Sequence, residues 1–338
     1  MKKILVTGGA GFIGSHAIIS LIEANYKPII FDNFSNSSTK SLKRVSEITG
    51  KKIELIQGDI RDSKSLDNIF VEHEIESVIH FAGLKAVGES VLHPMKYYDN
   101  NVQGSLKLFI AMAKHNVKKI VFSSSATVYG TPKDLPIKEY NSELKPANPY
   151  GATKLHIENI LKDIYISDNS WGIMNLRYFN PIGAHSSGKI GENPLGMPNN
   201  IMPMIIQTVS GKINELMIHG NDYNTHDGTG VRDYIHVMDL VDGHIKALEK
   251  INKNSGLWSI NLGTGTGYSV LDLVSCFESV SGVKVPFKIT DRRPGDIDSC
   301  YADPSYAKEI LNWEASRSLE QMCADSWKWQ KNNPNGYQ

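Results

Sequence analysis

A short apolar run, Ile4-Leu5-Val6, ends in Thr7-Gly8-Gly9-Ala10-Gly11-Phe12-Ile13-Gly14, and a helical pattern continues from Ser15 to Leu21. A buried strand, a glycine-rich turn and a helix start in that order constrain the fold more than any other stretch. Gly8 permits the tight turn, Gly11 lets a pyrophosphate approach the backbone, and Gly14 lets helix and strand pack closely. The helix N-terminus then meets the phosphate charge. The competing reading is a glycine-rich turn without a ligand. A second apolar run, Pro28 to Phe31, ends in Asp32, 18 residues beyond Gly14. That is where a carboxylate binds the ribose hydroxyls of NAD. Asn33, Phe34 and Ser35 follow, with Lys40 and Lys43 further off. With no arginine directly after the acid, NAD is favoured over NADP.

Three more strand candidates each precede a helix-like segment. Ile53 to Gln57 leads into Asp59-Ile60, Ser77 to Phe81 into Ala82-Gly83, and Lys119 to Phe122 into Ser123-Ser124-Ser125. Strands alternating with helices predict an α/β fold, a doubly wound parallel sheet with helices on both faces. Ligands then sit at the carboxyl ends of the strands, where Asp32, Asp59, Gly83 and Ser125 fall. Asn100 opens a helical stretch, Val102 to Asn116, and capping is the common role for such an asparagine.

Tyr150-Gly-Ala-Thr-Lys154 places a phenol and an ammonium four residues apart, on one face of a helix. Asn148 can cap that helix, Pro149 suits its first turn, and Ile157, Ile160, Leu161 and Ile164 recur at helical spacing. A lysine held against a tyrosine favours the phenolate, which can take a proton from an alcohol near neutral pH. Tyr129-Gly-Thr-Pro-Lys133 has the same spacing, but Gly130 and Pro132 argue against a helix there.

At 338 residues the chain can bury a large core, as one unit or two lobes. Acidic and basic residues balance at 36 each, which points away from nucleic acid and anionic membrane surfaces as partners. Cys276, Cys300 and Cys323 form no CxxC pair and fit a reducing compartment. No apolar run reaches membrane-spanning length, and the N-terminal run is cut short by its glycines, so a cytoplasmic protein is expected. The eleven histidines form no HExxH and no other tight ligand cluster in the sequence, and no metal is expected.

The glycine opening, the serine after the fifth strand and the Tyr150/Lys154 pair resemble the extended short-chain dehydrogenase/reductase superfamily. Five phrases narrow the resemblance to the UDP-glucose 4-epimerase family over nearly the whole chain. They are Phe81-Ala-Gly-Leu-Lys-Ala-Val-Gly-Glu-Ser90, Tyr97-Tyr-Asp-Asn-Asn101, Ser123-Ser-Ser-Ala-Thr-Val-Tyr-Gly130, Asn175-Leu-Arg-Tyr-Phe-Asn180 and Gly228-Thr-Gly-Val-Arg-Asp-Tyr-Ile-His236. The resemblance implies a Rossmann-type NAD domain over residues 1–180. A smaller α/β lobe, 181–338, mainly binds the UDP-sugar, and a segment near 236–265 returns to the first domain. It implies a homodimer.

It also implies the site. Tyr150, Lys154 and Ser125 are catalytic. Gly8, Gly11, Phe12, Ile13, Gly14, Asp32, Asn33, Asn36, Asp59, Ile60, Phe81, Ala82, Gly83, Lys85, Asn100, Ser123 and Phe179 join Tyr150 and Lys154 around NAD. Lys85, Ser125, Tyr150, Asn180, Asn199, Asn200, Met217, His219, Arg232, Arg293, Asp296 and Cys300 face the substrate. Arg232 and Arg293 are expected on the diphosphate, for which arginine forks are suited. Many members carry Phe where this chain has His219. The implied reaction oxidises C4 of the hexose with tightly held NAD, turns the 4-keto sugar and returns the hydride to the other face. Members restricted to UDP-glucose and UDP-galactose carry a tyrosine at the position of Cys300, so a small residue there implies that UDP-GlcNAc and UDP-GalNAc are also substrates. A nucleotide-sugar 4,6-dehydratase would need an Asp-Glu pair where Ala126-Thr127 stands. A catalytically dead NAD sensor would not need Tyr150, Lys154, Ser125 or the arginines. Epimerisation of UDP-glucuronate stays open.

Overall fold

The computed structural model describes all 338 residues except Asn141, Met197, Pro294 and Gln338. In chain order the first half runs β1 (Lys3–Thr7), α1 (Phe12–Glu23), β2 (Lys27–Asp32), α2 (Thr39–Thr49), β3 (Glu54–Gln57), α3 (Ser63–Glu72) and β4 (Ile75–His80). Then come α4 (Val87–Leu92), α5 (Pro94–Tyr97), a π-helical turn (Tyr98–Gln103), α6 (Gly104–Lys114), β5 (Lys119–Ser125), α7 (Pro149–Ser167) and β6 (Gly172–Tyr178). The second half contains β7 (Asn180–Ile182), α8 (Ile201–Val209), β8 (Leu216–His219), β9 (Val231–Arg232), β10 (Tyr234–His236), α9 (Val237–Lys253) and β11 (Gly256–Leu262). It closes with β12 (Tyr268–Ser269), α10 (Val270–Ser281), β13 (Phe287–Thr290), β14 (Ser299–Cys300), α11 (Ser305–Leu311) and α12 (Leu319–Asn332).

Seven parallel strands form the central sheet in the order β11-β6-β5-β4-β1-β2-β3. The pleat sends alternate residues to opposite faces, and both faces are apolar. Leu5, Val78, Ile120 and Ile173 pack with Leu66, Leu108 and Ile157 on one face. Ile4, Ile79, Val121 and Met174 pack with Leu240 and Leu248 on the other. The chain winds outward in both directions from β1 and β4, so their carboxyl ends, Thr7 and His80, flank the switch point where such sheets bind ligands. The expected doubly wound sheet is therefore present. Three small sheets, β10-β7, β12-β9-β14 and β13-β8, build the rest beside the core of α8, α10 and α12.

One expectation changes. Asn100 caps no helix; it lies inside the π-helical turn that leads into α6. Such turns widen a helix by one residue and occur where a side chain must be re-aimed. Cys276 and Cys323, far apart in sequence, are neighbours in the core of the second half, both as free thiols. No described helix is long and apolar enough to cross a membrane.

One buried ion pair ties the sheet to α7. Arg177 on β6 donates to Glu158 Oε2 at 2.6 Å and Oε1 at 3.0 Å, with both side chains about 5% exposed or less. Ser124 also donates to Glu158, and Arg177 reaches Tyr129 Oη at 2.9 Å. Removing one partner strands a buried charge. Arg177→Leu is expected to lower stability by about 3–5 kcal/mol in urea unfolding, and a loss below about 1 kcal/mol would refute the account.

Candidate active site

Asn148 starts α7 as its sequence suggests: its Oδ1 accepts from Gly151 N at 2.9 Å, and Pro149 occupies the first helical position. The helix brings Tyr150 and Lys154 under the end of β5. Lys154 is 5% exposed, and its Nζ donates to Ser123 O at 2.6 Å. The ammonium lies 5.0 Å from the Phe122 ring centroid and 5.9 Å from that of Tyr150. Burial pushes it down to about 8, against the pull of Glu158 one turn along. Burial pushes the Tyr150 phenol up, and its hydrogen bond with Ser125 draws it back. Burial is the larger influence on the phenol, with the ammonium 5.9 Å from the ring centroid. Ser125 Oγ accepts from Thr127 N at 3.2 Å and Thr127 Oγ1 at 2.9 Å, which fixes its rotamer.

The glycine turn has the shape of a phosphate cradle. Gly8 has φ +71°, and a Cβ there would lie 2.7 Å from Ala82 N. A Cβ on Gly14 would lie 2.7 Å from Gly9 Cα, whereas one on Gly11 would meet nothing closer than Gly8 O at 3.4 Å. Gly8 and Gly14 thus serve the turn itself, and Gly11 leaves open room. No side chain caps α1 and no acid stands in its first turn, so its N–H groups are available to an anion. Phe12 stacks edge-on against His16 at 5.1 Å, and Ile13 packs on the core. Asp32 at the end of β2 accepts from Ala10 N at 2.9 Å, Phe34 N at 2.8 Å and Ser37 Oγ at 2.9 Å. Those bonds pin the carboxylate at the rim of the cradle. Asp59 accepts from Asn33 Nδ2 at 2.9 Å, and Arg61 beside it holds its carboxyl well below the usual range. Ile60 is buried under Gly104, Phe179 is buried behind the site, and Asn36 and Asn199 are exposed. These features fit a dinucleotide with its pyrophosphate on α1.

Gly83 lies over Lys154: a Cβ there would be 3.7 Å from Nζ and 3.4 Å from Asn101 Oδ1. Asn101, buried in the π-helical turn, binds Leu84 N at 2.8 Å, Leu84 O at 3.0 Å and Thr153 Oγ1 at 3.1 Å. It ties the loop after β4 to α7. Asn100 Nδ2 reaches it at 3.0 Å. Nothing in the local pattern distinguished Asn101 from its neighbour.

Of the residues expected on the diphosphate, Arg232 pairs with Cys300 across β9 and β14. Arg232 Nη1 donates only to Val231 O and Ile297 O, at 2.8 and 3.0 Å, and no carboxylate among the described residues neutralises it. Arg293 instead grips Asp296, with Nε 2.9 Å from Oδ2. Asn180 is half-buried where its N donates to Asp233 O at 2.9 Å. Met217 and His219 lie on β8, and His219 Nδ1 lies 3.1 Å from Thr290 Oγ1. Lys85 and Asn200 meet at Glu192, which the sequence did not single out. Burial pushes the Cys300 thiol up to about 11, so it stays protonated. His226, Asp227 and Asp272 cluster within 4.8 Å, contrary to the expectation of no tight ligand cluster. Asp227 is already engaged there by Thr229 and Ser269, and Asp272 closes the capping box of α10 with Ser269.

A family model described as GDP-mannose 4,6 dehydratase matches residues 5–326. The UDP-glucose 4-epimerase of Bacillus subtilis (strain 168) is 59% identical over 334 residues, covering 99% of this chain and 98% of that protein. The chain belongs to the UDP-glucose 4-epimerase family. The Mus musculus UDP-glucose 4-epimerase is 52% identical over 343 residues, covering 100% of this chain and 99% of the mouse protein. A crystal structure of the Bifidobacterium longum UDP-glucose 4-epimerase in complex with NAD+ and UDP superposes with a TM-score of 0.96 at 51% identity, covering 99% and 100% of the two chains. Within the wider dehydratase-type family, the epimerase family fits the turn after Ser125. Ala126 is buried there and Thr127 is spent on Ser125, so neither serves as an acid–base pair.

Proposed function

We propose that this chain interconverts UDP-glucose and UDP-galactose at C4, and that it also interconverts UDP-GlcNAc and UDP-GalNAc. It is an NAD-dependent isomerase. The observation that carries the chemistry is the juxtaposition of Tyr150, Ser125 and Lys154 at the end of β5, beside the glycine cradle. NAD supplies the acceptor and donor of the C4 hydride. Tyr150 Oη takes the proton of the sugar's 4-hydroxyl and later returns it. Ser125, its rotamer fixed by Thr127, hydrogen-bonds the 4-oxygen. Lys154 holds the cofactor's ribose and keeps a cation under the phenol. Gly8, Gly11 and Gly14 seat the pyrophosphate, and Asp32 faces the adenosine ribose. Arg232 meets the diphosphate, and Arg293 joins it from the Asp296 pair. Asn180 and Asn200 flank the sugar, and β8 lies along the uracil.

Residues 1–180 then form the NAD domain and 181–338 mainly the sugar-nucleotide lobe, with 236–265 returning to the first. Support for acetylated substrates comes from Cys300, a small neutral side chain in register with Arg232. The test is conversion of UDP-galactose and UDP-GalNAc, supplied separately without added NAD and followed by NMR. Turnover of both supports the full reading. Turnover of UDP-galactose alone rejects the acetylated substrates, and turnover of neither, even with NAD added, rejects the epimerase.

The cytosolic enzyme is further proposed to be a homodimer. Leu106 and Ile110 stand one turn apart on α6 and are 41% and 60% exposed, an apolar strip that a second copy would cover. Ile110→Glu is expected to convert dimers to monomers in analytical ultracentrifugation; an undisturbed dimer would exclude this face.

A further inference from the structure

Glu192 takes no part in the proposed chemistry, yet it holds Lys85 and Asn200, two residues expected to face the substrate. Its side chain is only 10% exposed. A single oxygen, Oε1, accepts from Lys85 Nζ at 3.1 Å and from Asn200 Nδ2 at 2.8 Å. Lys85 comes from the loop after β4, on the cofactor side. Asn200 immediately precedes α8, on the sugar-nucleotide side. One carboxylate therefore joins the loop after β4 to the residue that precedes α8.

Glu192 is held from behind. Trp329 Nε1 on α12 donates to its carbonyl at 3.3 Å. A Cβ on Gly191 would lie 2.6 Å from Trp329 Cδ1, so glycine is required for this close approach. The backbone at this point is packed on α12, and the reach of the carboxylate is set by the core. Asn200 answers to it. Asparagine just before a helix usually caps it through its side chain, but Asn200 makes no such bond to α8, and its amide donates to Glu192 instead. A surface lysine pair is worth little, but one shared with a half-buried, two-donor acceptor fixes geometry.

We propose that Glu192 is a positioning residue: it sets where Lys85 and Asn200 present to the bound sugar nucleotide, and acts only through them. The inference rests on the function proposed above. Glu192→Gln keeps an oxygen for Asn200 and discards the attraction for Lys85. The test is a double-mutant cycle of Glu192→Gln with Lys85→Met, read both as UDP-glucose affinity by calorimetry and as kcat and KM for UDP-galactose. Glu192→Gln is expected to weaken binding and raise KM by about tenfold with kcat changed less than about threefold. In the Lys85→Met background the same substitution should change affinity by less than about twofold, because the partner is gone. Effects that multiply independently, or an unchanged KM, would overturn the proposal. A loss confined to thermal stability would overturn it too. Wild-type protein that binds UDP-glucose without turning over UDP-galactose defeats the epimerase reading alone, since the affinity cycle still reports on Glu192. Wild-type protein that binds no sugar nucleotide defeats both.

Discussion

Tyr150→Phe is expected to cut turnover of UDP-galactose by about a thousandfold while UDP-glucose affinity stays within about threefold. The substitution removes one oxygen and leaves the ring, so α7 keeps its Asn148 cap and its Lys154–Ser123 bond. No other group near the proposed 4-hydroxyl can replace the lost base. The Ser125 hydroxyl oxygen already accepts two hydrogen bonds from Thr127, and the Lys154 ammonium donates to the Ser123 carbonyl. Burial drives the phenol toward its neutral form, so deprotonation has to be helped by positive charge in the assembled site. Lys154 contributes to that while it is protonated, below about pH 8. Conversion followed by NMR and affinity by calorimetry separate the two effects. Near-normal turnover would defeat the assignment of Tyr150 as the base.

The parts of this site that were legible in the sequence are those whose physics is local. Asn148 and Pro149 announce α7, and the run from Ile4 to Gly14 announces the cradle, because caps, turns and close approaches are decided within a few residues. The parallel sheet was legible from alternation of strands and helices for the same reason. What escaped depends on partners brought together only by folding. Lys85 and Glu192 are 107 positions apart, and Arg177 finds Glu158 across a strand and a helix. The π-helical turn at Tyr98–Gln103 has an ordinary helical pattern, and its extra residue is revealed only by where Asn101 points. Spacing on a helix gives Tyr150 and Lys154 a shared face but not the depth of burial, which pushes the phenol up and the ammonium down. Cys276 and Cys323 likewise share a core that their separation in sequence conceals.

Cys300→Tyr is expected to lower turnover of UDP-GalNAc by about a hundredfold and leave UDP-galactose within about threefold, if both are substrates of the native chain. Cys300 is paired in register with Arg232, the arginine proposed for the diphosphate, and packs against the cluster that holds Phe179 and Ala302. On the proposed reading, a side chain here stands beside the anchor of the nucleotide. The thiol is protonated and neutral, so its contribution is space rather than charge. Tyrosine adds a ring and a hydroxyl, which occupy the volume an acetamido group needs but not that needed by a hydroxyl at C2. Steric exclusion of this kind can exceed the modest discrimination available from a missing methylene, because the core behind Cys300 is packed and cannot retreat. The backbone is not at risk: Asp233 N donates to Cys300 O at 3.0 Å whatever the side chain. Competition assays with both substrates in one tube give the ratio directly. Equal loss of both activities would mean that the new ring disturbs Arg232 rather than the sugar pocket. Unchanged activity on both would place the acetamido group elsewhere.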